Sequence, residues 1–202
     1  MNSNLKTKPL LWFVVLLFLV FFTCSLLYST ENDYATSKGG IEYRITGISH
    51  LDTALSYIGV REKGANRGFW IERFLHSVKL GKGQPYCASF VSYCLTQCKS
   101  SFPIRSGLAR SFKTRKSINA LDVARGWKRI PAGSLVGWEK TRSIKGHIGF
   151  VLQDWSGRFG RTVEGNTTSG SKRFKGEGVW VRSQEIETLG IKRITFFTLI
   201  EG

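Results

Sequence analysis

Four side chains in this sequence have the types needed for nucleophilic attack on an acyl group: Cys87, His147, Glu164 and Asn166. A cysteine nucleophile needs a base to take its proton and a polar group to orient that base. His147 stands between Gly146 and the apolar run Ile148-Gly149-Phe150-Val151-Leu152. Its ring can project from a strand end while the strand is anchored in a core. Glu164 and Asn166 close the segment Val163-Glu164-Gly165-Asn166. Both can hydrogen-bond an imidazole. A carboxylate in that role holds the ring in the tautomer that leaves its other nitrogen for the thiol, and stabilises the imidazolium. Gly165 is expected to let the backbone turn between them. Two residues just before the thiol join the set. Gln84 is placed either to donate to an oxyanion or to stabilise a turn, two equal readings, and Tyr86 is a candidate for lining a substrate groove.

The stretch around Cys87 shows what must position it. Turn formers Gly83-Gln84-Pro85 give way to an apolar helical pattern, and Pro85 has a fixed φ that suits a first helical turn. Phe90, Cys94 and Cys98 then share one face at i, i+4 spacing, with Val91 and Leu95 alongside. Cys87 falls within the first turn, where unpaired N–H groups and the positive end of the helix dipole stabilise a thiolate. A buried structural cysteine is the commoner state of such a residue, so the later histidine and acid carry the nucleophile reading. His50 and His76 border no strand end or glycine turn and read as surface histidines.

Apolar residues at 51, 54, 55 and 58 predict a helix ended by Gly59, and Phe69 to Val78 predicts a second amphipathic helix. After Ile130-Pro131-Ala132-Gly133 the period changes to that of strands: 135–138, 147–152, 161–164, 179–181 and 194–200. Helices followed by a run of antiparallel strands indicate an α+β domain over residues 49–202. Residues 99–129 hold nine Lys or Arg and one Asp, and read as an exposed connector with a short helix. An anion-touching surface is the sharper alternative.

The chain has 202 residues and a net charge of +16, which favours an anionic partner: nucleic acid, headgroups or a wall polymer. Leu10 to Tyr28 runs nineteen residues without a charge, close to the roughly 20 needed to cross a bilayer. Lysines in the basic segment 1–9 precede it, while Glu31 and Asp33 follow, so the N-terminus is expected to stay cytoplasmic. A retained anchor is preferred to a cleaved signal peptide, because the run exceeds a signal core and no small-x-small cleavage site follows. Either way the remainder is expected to be exported, into the periplasm or the exterior, with residues 29–48 as a tether in which the alternation of Ile41-Glu42-Tyr43-Arg44-Ile45 allows a short strand. Export argues against a nucleic-acid partner. The four cysteines offer no disulfide framework. C-x₃-C at Cys94 and Cys98 has no nearby His pair, so no metal ligand and no cofactor is assigned.

The order thiol, imidazole, acid or amide is that of papain-like hydrolases. Together with Gly59-Val60-Arg61-Glu62, Asn66-Arg67-Gly68, Tyr86-Cys87-Ala88-Ser89-Phe90-Val91-Ser92, Pro131-Ala132-Gly133-Ser134-Leu135-Val136, Gly146-His147-Ile148-Gly149-Phe150-Val151 and Val163-Glu164-Gly165-Asn166-Thr167, it resembles the CHAP domain (cysteine, histidine-dependent amidohydrolase/peptidase) of the NlpC-type papain-like superfamily. The resemblance covers roughly residues 50–200. Where the family typically has Trp before the nucleophile this chain has Tyr86, and where it often has Gly-Asp this chain has Gly133-Ser134. The resemblance implies a papain-like fold, with Cys87, His147 and Glu164 as the catalytic set and Asn166 as a fourth member. It also implies hydrolysis of an amide bond in peptidoglycan, by an N-acetylmuramoyl-L-alanine amidase or a peptide endopeptidase. The competing expectation is an inactive wall-binding or structural module of an envelope, secretion or phage apparatus.

Overall fold

The computed structural model describes residues 33–140, 143–170, 177–186 and 193–200. The apolar run 10–28 lies outside these residues. Among the described residues no helix is long and apolar enough to cross a membrane.

The architecture is α+β. Three helices precede the main sheet: α1 (Ser49–Leu55), α2 (Phe69–His76) and α3 (Cys87–Gln97). A hairpin, β1 (Tyr34–Thr36) with β2 (Glu42–Arg44), comes before them. It falls inside the segment read as a tether. Ile41 and Tyr43 pack against the core under the helices, which gives this short polar piece a fixed place. The connector carries a 3-10 turn (Ala109–Phe112), β3 (Ile118–Asn119) and α4 (Ala120–Ala124). Then follow β4 (Leu135–Lys140), β5 (Gly146–Val151), β6 (Phe159–Thr168), β7 (Glu177–Glu185) and β8 (Arg193–Thr198). These form one six-stranded antiparallel sheet in the order β3-β8-β4-β5-β6-β7.

The strand period of two divides the sheet's residues between two cores. Ile148, Phe150, Val163 and Val179 face the helices and meet Leu51, Phe74, Phe90, Val91 and Leu95. Val136, Trp138, Val151 and Phe197 belong to a second core with Val123, Ile130 and Trp155. Helix α3 is the central helix of the first core, buried at every position from Cys87 to Leu95. Cys94 lies wholly inside it, and burial pushes its thiol pKa up. That fits the helix-face reading of Cys94.

Part of the positive charge in the connector holds the fold together. Arg105 donates to the carbonyls of Leu95, Ser100, Phe102 and Ile104, and so ties off the C-terminal end of α3. Lys113 and Arg110 pair with Glu139 on β4. Arg129 pairs with Asp154, so the segment read as an exposed connector contributes at least four of its nine cations to internal contacts.

Candidate active site

Helix α3 starts at Cys87 with Tyr86 as its N-cap, two residues after Pro85. No side chain caps this start. The first intrahelical bond runs from the Phe90 N–H to the Tyr86 carbonyl at 2.8 Å. The N–H groups of Cys87, Ala88 and Ser89 therefore have no acceptor within the helix. Such an uncapped start can stabilise negative charge developing beside the Cys87 sulfur.

The sheet brings the other two groups to the same place. His147 and Gly149 lie two residues apart on β5, on the face opposite Ile148 and Phe150. Gly149 is paired with Glu164 on β6, so Glu164 is a diagonal neighbour of His147. A side chain at 149 would bring its Cβ within 2.7 Å of the Glu164 Cγ and 2.8 Å of the Val163 carbonyl. Glycine there leaves room for Glu164 to lie across β5. The result is a 2.8 Å hydrogen bond from His147 Nε2 to Glu164 Oε2. With Nε2 engaged, Nδ1 is left free of Glu164, and Cys87 lies near enough to push the ring's pKa up. The Trp138 ring covers the imidazole, with centroids 5.7 Å apart.

Glu164 is only 1% exposed, yet its carboxylate is fully served. Beyond the His147 bond, Oε1 accepts from Thr162 Oγ1 at 2.5 Å and from Gln184 Nε2 at 2.6 Å. Burial works to raise its pKa, but these donors and the charge on His147 win, and the net direction is down. The same contest occurs at His147. Burial disfavours the charged ring, but hydrogen bonds and negative charge from Cys87 and Glu164 push its pKa up to about 10. At neutral pH the ring therefore carries both protons and can deliver one.

Thr162 and Gln184 are the functional residues that sequence reasoning missed. Thr162 had a readable signal, because it stands two residues before Glu164 and shares its strand face. Gln184 had none, since its place depends on the β6–β7 register, in which it lies opposite Gly160.

Three expected roles change. Asn166 does not touch the imidazole. Its φ of 58° puts it in the left-handed region, next to a register shift in β6, and turns its side chain toward the start of α3. There Oδ1 accepts from the Tyr86 N–H at 3.0 Å, while Nδ2 donates to Asn66 at 3.1 Å and Glu177 at 2.7 Å. Asn166 thus holds the start of α3. Tyr86 does not line a groove. It is 0% exposed and packs near Phe74, because the N-cap residue is drawn into the helical core. Burial, with the Glu62 carboxylate beside it, pushes its phenol pKa up. Gln84 is exposed in the turn before the helix and makes no hydrogen bond to the helix start. His76 is exposed as expected. His50 instead reaches in to the Gly133 carbonyl at 2.9 Å and lies against Phe150.

Gly165 also acts differently from the expected turn. A Cβ at 165 would lie 2.8 Å from the Phe90 Cβ and 2.9 Å from its Cγ, so the glycine permits β6 to press against α3. Phe90 is fully buried and cannot move aside. Gly165→Ala is expected to destabilise the domain by roughly 1–3 kcal/mol, as overpacked cores do. Thermal denaturation followed by circular dichroism would show it as a fall in Tm of roughly 2–4 °C per kcal/mol.

A cavity of about 600 Å³ opens beside the imidazole, walled by Trp138, His147, Glu164, Asn166 and Gln184. A larger one of about 870 Å³ lies against the β1–β2 hairpin, but no cysteine or histidine lines it. Of the set Cys87, His147 and Glu164, the last two line the smaller one. No family model matches the chain, and no curated protein and no solved structure is significantly similar to it.

Proposed function

We propose that this chain is a cysteine amidohydrolase of the CHAP type with a papain-like arrangement, cutting an amide bond of peptidoglycan. The observation that carries the reading is the linked set Cys87–His147–Glu164, with the thiol at an uncapped helix start and the imidazole held by a saturated buried carboxylate. A structural cysteine–histidine contact has no use for either feature. The motif order along the chain supports the family, and the apolar run 10–28 with the +16 charge supports an exported protein working near an anionic wall.

In the mechanism the Cys87 sulfur, its proton held by His147, attacks the amide carbonyl carbon. The carbonyl π pair moves onto oxygen, where N–H groups at the start of α3 receive the oxyanion. As the tetrahedral intermediate collapses, the C–N bond breaks and His147 Nδ1 gives its proton to the leaving amine. An acyl thioester on Cys87 remains. Water then attacks it while Nδ1 takes one proton from the water. The C–S bond breaks with its electron pair passing to sulfur, and the products are a free carboxylic acid and the restored thiolate–imidazolium pair. Glu164 stays ionised throughout and holds Nε2–H.

The test uses the full-length chain on purified cell walls of several stem chemistries. Soluble fragments should appear together with an equal number of new amino groups. Their release should stop in step with iodoacetamide labelling of the Cys87 peptide, followed by mass spectrometry. No release from any of the walls, or release that persists after Cys87 is fully labelled, would sink the reading.

A further inference from the structure

The cavity beside His147 has a charge imbalance that the catalytic set does not explain. Lys140 from the end of β4, Lys145 just before β5 and Arg182 from β7 all line it. Its one acidic wall residue, Glu164, has both oxygens occupied by His147, Thr162 and Gln184. Among the described residues no carboxylate pairs with any of the three cations. Elsewhere Lys113 pairs with Glu139 and Arg129 with Asp154. Arg182 is also pre-positioned. Its Nη1 donates to the Thr168 carbonyl at 2.9 Å, and its Nε is buried with no partner among the described residues. A guanidinium held in this way, flanked by two lysines, suits an oxyanion.

We infer that this cavity is a specificity pocket that binds a carboxylate of the substrate peptide, within a residue or two of the amide that Cys87 attacks. The inference rests on the hydrolase reading given above. A wall phosphodiester has the same anionic chemistry, but the pocket shares His147 with the reaction centre, so its occupant must be contiguous with the scissile amide. Stem peptides of peptidoglycan carry free carboxylates at that range, and these are carboxamides in amidated walls. Charge-assisted contacts of this kind are worth about tenfold or more in binding.

The experiment compares two soluble muramyl-peptides, alike except that the stem carboxylates of one are amidated, as substrates for the full-length chain. The expected result is cleavage of the carboxylate form with about tenfold higher kcat/KM, carried by KM. In Lys145→Gln/Arg182→Gln the two forms should be cut at similar rates. Lys145→Gln alone, at an exposed position, should narrow the preference by itself and covers the case in which the double variant fails to fold. Equal cleavage of both forms by wild type, or an undiminished preference in both variants, overturns the pocket and leaves the hydrolase standing. Suppression of both cleavages by a glycerol-phosphate polymer would assign the cations to wall phosphate and overturn it too. If wild type cuts neither compound, the hydrolase reading falls and the pocket falls with it.

Discussion

Exchanging Cys87 for alanine is expected to lower wall hydrolysis by roughly 10³-fold or more, because the covalent route vanishes and only binding and oxyanion contacts remain. The fold should survive. Cys87 is a small side chain at a helix start, and the helical core is held by Phe74, Phe90, Val91 and Leu95. The variant also carries a spectroscopic signature. Cys87 is among the influences that push the His147 pKa up to about 10. Removing the sulfur should bring that pKa down toward the ordinary imidazole value of 6.5 while the Glu164 bond persists. A ring-proton NMR titration of wild type and variant reads this without any substrate. An unchanged His147 pKa would mean that the thiol and the ring do not interact, whatever the activity shows.

The reason such a site can be read from sequence is visible at particular residues. Cys87 was legible because a helix start is written locally, in turn formers followed by an i, i+4 stripe. His147 was legible because Gly146 and five apolar residues mark a strand and its opening end. Glu164 was legible only as the acid on the next strand. Its pairing with Gly149 converts that guess into a hydrogen bond to Nε2. Roles set by three-dimensional register or by a single backbone torsion were not legible. Asn166 looked like a ligand of the imidazole, yet one left-handed φ sends its side chain to the Tyr86 N–H instead. Tyr86 looked like part of a groove because it adjoins the nucleophile. Helix geometry turns neighbours about 100° apart, and that rotation buries the ring. Gln184 comes from twenty residues beyond Glu164, and nothing local announces it.

The same distinction applies to the fold as a whole. The five long strands and three helices followed from periodicity, because each has one face in an apolar core. The alternation over 41–45 announces β2, but β1 is too short and polar to be read, and the hairpin is placed by Ile41 and Tyr43. The connector's charges were read together as a surface property. Arg105 shows why a count of charges misleads: its guanidinium gathers the Leu95 carbonyl at the helix end and the Ser100 carbonyl just beyond it.

Glu164→Ala is expected to lower both activity and stability, with a pH dependence that identifies the cause. Without the carboxylate the His147 ring keeps no partner on Nε2, and Thr162 and Gln184 lose their acceptor. Breaking a buried charged pair from one side typically costs roughly 3–5 kcal/mol. Hydrolysis should fall by roughly 10²–10⁴-fold, since the ring loses its tautomer control and the charge that supports its proton. The two shifted pKa values set the pH window. His147 is raised in the folded protein, so its contribution is complete below 6.5 and is lost as pH climbs toward about 10. Glu164 is depressed, so its contribution is present above the ordinary carboxylate value of 4.5 and is lost as pH falls through its lower folded value. Both contributions are complete only between 4.5 and 6.5. The Tm gap between wild type and Glu164→Ala should therefore be widest in that interval and narrow on either side. Thermal melts of both proteins across the pH range give the curve directly. A gap that stays constant from acid to alkaline pH would reduce Glu164 to a packing residue. It would also remove the ion pair as the support for the His147 proton that the leaving amine must receive.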